Sequence, residues 1–260
     1  MTIVTEETRQ AAIITDSKQP LGWGRFLLQF FSVALIYMLA QVPPVLIWGK
    51  IDAQGNLDMP SEALAGATAF GMAVALFVSW LWLRKDKAVA RAWNLSAPAS
   101  WPRTLLIALA ATIAIIAWFA LGSMALTAVG LEVPQVAIVL DMVTQSGFHY
   151  VLWVVLVAWF AAGFGEELLY RGFLMDRLQQ LKGVGSSFWA PIVIQALIFG
   201  ISHGYQSLSG VILTGIIGFG LGWLRMRCGG SLLACIFAHM AVDTFSMSVA
   251  FAETLALPAG

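Results

Sequence analysis

The sequence predicts an all-α membrane protein, a polytopic bundle of about seven transmembrane helices. Of its 260 residues, 60% are hydrophobic and only 11% are charged, whereas soluble domains carry about 25% charged residues. A soluble fold of this size could not bury so much apolar surface. The second observation is a series of apolar segments long enough to cross a bilayer. The third is the alternation of basic residues between successive loops.

Seven apolar segments, each of about 17 residues or more, have the length expected of membrane spans. The stretch between the third and fourth, residues 130–147, has a weak amphipathic pattern and is expected to lie along the membrane surface. The predicted spans are 26–49, 62–83, 104–129, 148–170, 187–203, 207–226 and 231–252.

The basic residues indicate an orientation. Every lysine and arginine except Lys50 lies before the first span or in the second, fourth or sixth loop. The positive-inside rule therefore predicts a cytoplasmic N-terminus and a C-terminus outside. The net charge is zero, and the absence of a basic face argues against a nucleic-acid partner.

The chain divides into three parts on this reading. Residues 1–25 are expected to form a cytoplasmic tail, and residues 26–129 to form three N-terminal membrane helices. Residues 130–260 would form the core that carries the chemistry, because polar side chains are concentrated there. Two cysteines have neither zinc spacing nor a disulfide framework and are interpreted as packing residues.

A cluster of ionisable residues marks the C-terminal half as the functional region. A charged side chain in lipid costs about 2.5–3.5 kcal/mol on insertion scales, so such residues indicate function by default. The cluster consists of Glu166, Glu167, Arg171, His203, His239 and Asp243.

The two adjacent glutamates are predicted to have different roles. Glu167 and Arg171 are four residues apart and can pair on one helix face. Glu166 points away from that face and is free to act as a general base. The alternative is a pair of interfacial glutamates neutralised by Arg171. For Glu166 to lie mid-membrane, the fourth helix must continue to about Leu181.

The histidines follow on later spans. His239 and Asp243 are also four residues apart, so both face one direction. His203 ends the fifth span, where capping or packing is the alternative role. His149 lies at the outer end of the fourth span and is assigned no role.

Three motifs in the C-terminal half are similar to those of a known family. Glu166-Glu167-x-x-x-Arg171, Phe199-x-x-x-His203 and His239-x-x-x-Asp243 follow one another on successive hydrophobic segments. This order is similar to that of the CAAX protease and bacteriocin-processing family of intramembrane endopeptidases, related to the type 2 CAAX prenyl protease. The resemblance covers about residues 160–250.

The resemblance implies roles for these residues. Glu166 would activate the attacking water and His203 would bind or deprotonate it. Glu167 and Arg171, with Phe199, would support them. His239 and Asp243 would stabilise the oxyanion or complete the site. Asp243 departs from members with asparagine there, because a carboxylate donates a hydrogen bond only when protonated.

The resemblance leaves the metal open. Members of the family have been interpreted both as metalloproteases and as glutamate proteases. Glu166, His203, His239 and Asp243 have suitable chemistry for Zn²⁺, but the sequence has no His-Glu-x-x-His motif. We favour a mechanism without an obligatory metal.

The leading hypothesis is a peptidase of a bacterial plasma membrane that cuts a membrane-associated or lipidated peptide. Its expected partners are membrane lipid and this substrate, and the oligomeric state is left open. One alternative is a non-catalytic immunity or scaffold protein of the same fold that binds a peptide. Another is an ion-coupled transporter, which would need paired repeats with interrupted helices in both halves.

Overall fold

The computed structural model describes residues 20–51, 55 and 57–256. Most of the predicted N-terminal tail, residues 1–19, therefore lies outside the described residues. The described part is almost entirely helical. Its helices are α1 (Trp23–Ala40), α2 (Val42–Trp48), α3 (Ser61–Lys85), α4 (Val89–Ala92), α5 (Trp101–Ala128), α6 (Ala137–Val143), α7 (Gly147–Gln180), α8 (Trp189–Ser202), α9 (Ser207–Arg227) and α10 (Leu233–Ala256). The strands β1 (Lys50–Ile51) and β2 (Leu57–Asp58) form one antiparallel hairpin.

All seven predicted spans are helices, and the all-α membrane bundle is confirmed. Six helices in the described residues are long and apolar enough to cross a membrane, α1 and α2 counting together. The fifth predicted span is the exception. Its helix, α8, has 14 residues, or about 21 Å at 1.5 Å per residue. This is shorter than the hydrocarbon core of about 30 Å.

Helix α7 is longer than a simple span, as the predicted depth of Glu166 requires. It runs without interruption for 34 residues, from Gly147 to Gln180. Its central part, Val154–Leu174, has the wide turns of a π-helix, whereas the sequence analysis assumes α-helical turns. Glycines on these turns let neighbouring side chains press against the backbone, with Met240 against Gly163 and Met72 against Gly165.

Helix α7 lies at the centre of the bundle. It packs between α3 on one side and α10 on the other, while α1 packs on α3 and α5 on α10. The apolar clusters follow these contacts, and one of them joins α3, α7 and α10 through Met72, Ala161 and Ile236. Because α7 carries both glutamates, this arrangement places them at the centre of the bundle.

Helices α8 and α9 form a tightly packed hairpin. A Cβ atom on Gly222 would lie 2.6 Å from Nε2 of Gln195, and one on Gly218 would lie 3.0 Å from Cδ1 of Phe199. These two glycines, four residues apart, therefore allow the two helices to approach closely. The hairpin turns through a short 3₁₀ segment, Gly204–Gln206, directly after His203.

The loops that carry the basic residues meet at one end of the bundle. Arg91 pairs with Asp176 at 2.7 Å, and Arg177 bridges Asp176 and Asp86. Leu21 pairs with the chain next to Leu181 through the main chain. The predicted separation of basic and non-basic loops is thus a real feature of the bundle. Which end faces the cytoplasm stays a prediction.

Candidate active site

The centre of the site is a buried ion pair that continues to a histidine. Nη1 of Arg171 donates to Oε1 of Glu167 at 3.0 Å, and both side chains are 0% exposed. The same oxygen lies 2.9 Å from Nδ1 of His239. The pair predicted from the i, i+4 spacing is therefore formed, and it connects α7 to α10.

Phe199, in α8, connects the buried ion pair to the α8–α9 hairpin. The guanidinium carbon of Arg171 lies 4.1 Å from the centre of the Phe199 ring, an arrangement that stabilises a buried cation. The ring also contacts Tyr170 edge-on at 5.0 Å. On its other side, the rings of Phe199 and His203 are 4.6 Å apart.

Both histidines use one ring nitrogen and leave the other available. Nδ1 of His203 lies 2.8 Å from the carbonyl oxygen of Phe199. A carbonyl only accepts, so this nitrogen carries the proton and Nε2 is the acceptor in the neutral ring. His239 uses Nδ1 towards Glu167, and its Nε2 lies 3.7 Å from Oδ2 of Asp243. That distance is too long for a hydrogen bond.

Glu166 is half-buried and has no ion-pair partner within the described ranges. Its Oε2 atom is enclosed and accepts no hydrogen bond from any described residue. Glu166 interacts electrostatically with His239 and with Asp243. His203 also interacts electrostatically with Asp243. The structure therefore brings the predicted polar residues into one region.

The buried pair has unused hydrogen-bonding capacity. Considering only the described residues, Oε2 of Glu167 and the Nε and Nη2 atoms of Arg171 have no partner. A buried charge with free donors or acceptors is costly. The cost is compatible with a region built for function rather than for stability.

The candidate zinc ligands do not form a ligand set in this arrangement. Among the described residues, no three histidine, cysteine, aspartate or glutamate side chains converge so that they could hold a metal ion. Glu166, His203, His239 and Asp243 therefore do not fit zinc as they stand, and a zinc site stays a prediction. No step below depends on a metal.

Tyrosines around Glu166 are the feature that the sequence analysis missed. Glu166 interacts electrostatically with Tyr37, Tyr170 and Tyr205. The chain has only four tyrosines in all. These three come from α1, α7 and the hairpin turn. The sequence did offer a signal, since it has four tyrosines against 16 phenylalanines. A tyrosine hydroxyl within the membrane needs a polar partner, so each of these rare tyrosines pointed to a polar neighbour.

Fold and site together define a class, that of polytopic membrane proteins with an acid–histidine cluster inside the helix bundle. Comparison with known families narrows the class. Residues 148–245, which begin in α7 and end in α10, match the family model described as type II CAAX prenyl endopeptidase Rce1-like. The matched part, which is less than half of the chain, is similar to the CAAX protease family. No curated protein and no solved structure matches the chain.

The family match supports the coarser functional conclusions. The protein is an integral membrane protein, and the family that its residues 148–245 match is one of proteases. The match spans all three motifs that carried the resemblance, from Glu166 to Asp243.

Proposed function

We propose that the protein is an intramembrane endopeptidase that hydrolyses a peptide bond in a membrane-associated or lipidated substrate. The observation that carries the proposal is the enclosed, unpartnered Oε2 of Glu166, next to a buried and hydrogen-bonded network. A carboxylate without a cation of its own is suited to accept a proton.

In the proposed reaction, Glu166 acts as the general base. It takes a proton from a water molecule held between its carboxylate and Nε2 of His203. The water oxygen attacks the peptide carbonyl carbon, which gives a tetrahedral oxyanion. Glu166 then returns the proton to the leaving nitrogen as the C–N bond breaks, so that the site is regenerated.

The oxyanion is stabilised on the α10 side. In the protonated ring of His239, Nε2 carries a hydrogen that can be donated to the oxyanion. Glu167 holds Nδ1 of that ring and, with Arg171, fixes its orientation. Asp243, 3.7 Å from Nε2, contributes a second donor when its carboxyl group is protonated.

Lipid is the second partner in the proposal. The outer surface of the bundle exposes long apolar side chains such as Leu28, Phe31 and Met124, so the substrate must also be at home in a membrane. A lipidated C-terminal peptide meets that requirement. We place the N-terminus in the cytoplasm of a bacterial cell, following the distribution of basic residues.

Proteolysis by the purified protein in liposomes tests the proposal. The substrates are lipidated and unlipidated C-terminal peptides, each offered to the wild type and to Glu166→Gln, with and without chelator. Cleavage that is lost in Glu166→Gln supports the base, and chelator sensitivity reports a metal. Peptide binding without cleavage by the wild type would instead support the non-catalytic alternative.

A further inference from the structure

A segment outside the family-matched region contacts the helix that carries the glutamate pair. Residues 86–94, here called the strap, follow α3 in the connection to α5 and contain the short helix α4. The strap comes from the N-terminal half, in which the sequence shows no functional motif. It nevertheless contacts α7, which carries both glutamates, and is hydrogen-bonded to Arg225 of α9 and to Leu232, directly before α10.

The most direct of these contacts is made by Trp93. Its indole Nε1 donates to the carbonyl oxygen of Leu168 at 2.9 Å. Leu168 is 2% exposed and directly follows Glu167 in the chain. A bond to this carbonyl therefore restrains the main chain that orients both glutamates.

A glycine makes this contact possible. A Cβ atom at Gly172 would lie 3.0 Å from Nε1 of Trp93 and 3.2 Å from the carbonyl oxygen of Ala92. Any side chain there would push the indole and the strap away from α7. Because Gly172 has no side chain, Trp93 can contact the backbone of α7 about one turn after the glutamate pair.

The strap is itself fixed from behind by main-chain contacts. Arg225, which is 2% exposed, donates from Nη2 to the carbonyl oxygens of Ala92 at 3.2 Å and Arg91 at 3.4 Å. The amide of Leu232 donates to the carbonyl oxygen of Asn94 at 3.0 Å. The main chain is therefore fixed on both sides of Trp93, so the indole has a fixed position against α7.

We propose that Trp93 is a positioning residue for the glutamate pair, acting on Glu166 and Glu167 through the carbonyl of Leu168. This inference rests on the proposed protease function. It extends the functional unit beyond residues 148–245 to the strap. It also gives the N-terminal half a part in orienting the general base.

Steady-state proteolysis with Trp93→Phe tests the inference, since phenylalanine keeps an aromatic ring but has no N–H donor. We expect kcat to fall about 10-fold with KM unchanged, less than the about 10²-fold effect of a 1 Å misplacement. Gly172→Ala, which displaces the indole without deleting it, should give the same split between kcat and KM.

Trp82→Phe is the matched control. The indole of Trp82 donates to Oγ of Ser32, also at 2.9 Å, but it joins α1 to α3 and not the strap to α7. Both variants should lower thermal stability by similar amounts, and only Trp93→Phe should lower kcat. Equal kcat values in the two variants would overturn the inference.

A readout without catalysis separates this inference from the protease proposal. A hydrophobic carbodiimide labels membrane carboxyl groups, and mass spectrometry gives the labelling rate of Glu166. If the wild type cuts no substrate, the protease proposal fails. A Glu166 labelling rate changed by Trp93→Phe and not by Trp82→Phe then still supports positioning, whereas an unchanged rate rejects it.

Discussion

Nδ1 of His239 and Oε1 of Glu167 lie 2.9 Å apart, although 72 positions separate the two residues in the chain. The same glutamate oxygen accepts from Arg171. One carboxylate therefore aligns a histidine from the last helix with a cation from its own helix. This sharing leaves Glu166, its sequence neighbour, outside the ion pair.

The first prediction concerns Glu166. Glu166→Gln keeps the size of the side chain and removes the base, so we expect kcat to fall by about 10²- to 10⁴-fold. Cleavage in liposomes measures it. Glu62→Gln is the control, since Glu62 lies 3.3 Å from His149, far along the chain from the motifs. Retention of more than a tenth of the activity in Glu166→Gln would refute the assignment.

The second prediction concerns the buried ion pair. Arg171→Met leaves Glu167 charged and buried with only His239 as a partner, and we expect the free energy of unfolding to fall by about 3–5 kcal/mol. Glu167→Gln combined with Arg171→Met removes both charges and should restore part of that loss. Chemical unfolding in detergent micelles measures both. Additive losses in the double variant would contradict a direct interaction.

The third prediction concerns Gly218, which lies against the ring of Phe199. A Cβ atom on Gly218 would lie 3.0 Å from Cδ1 of Phe199 and 3.3 Å from Cα of Ala196. Gly218→Ala should move the ring from Arg171 and lower activity about 10-fold, within the range for sub-ångström misplacement. No atom lies within 4 Å of a Cβ atom on Gly220, so Gly220→Ala should retain full activity. Equal activities would show that the ring position is unimportant.

The fourth prediction separates two roles for Asp243. An asparagine amide donates a hydrogen bond without protonation, so Asp243→Asn should stay active if this residue stabilises the oxyanion. Asp243→Leu should lose about 10²- to 10³-fold in kcat, the usual cost of one missing donor. An inactive Asp243→Asn, together with chelator-sensitive wild type, would instead indicate a metal ligand.

Local spacing made part of the site predictable. Glu167 with Arg171 and His239 with Asp243 are i, i+4 pairs, and that spacing brings side chains together on any helix, including the wide turns of α7. The extension of α7 towards Leu181 was predictable too, because Glu166 could not otherwise reach the histidines. The length of α8 was not, because Ser187 bonds the amides of Trp189 and Ala190 and starts the helix later than the apolar run.

Contacts between distant parts of the chain were not predictable from the sequence. Tyr37 and Trp93 lie in segments whose apolar pattern fits ordinary spans and loops, and only the packing of α1 and the strap brings them to α7. The wide turns of α7 also depend on packing, because Gly163 and Gly165 accept side chains from other helices. Periodicity reports the face of one helix and not its neighbours.

The anchoring of the strap has a consequence for protein engineering. Arg225 and Leu232 bind main-chain carbonyls of the strap, and such bonds do not depend on which side chains the strap carries. A foreign segment grafted over residues 86–94 needs an indole at position 93, small residues where Ala88 and Ala92 are fully buried, and the ion-pairing side chains Asp86 and Arg91. Because α3 and α5 also pack directly on α7 and α10, the strap alone, and not the whole N-terminal half, should be exchangeable.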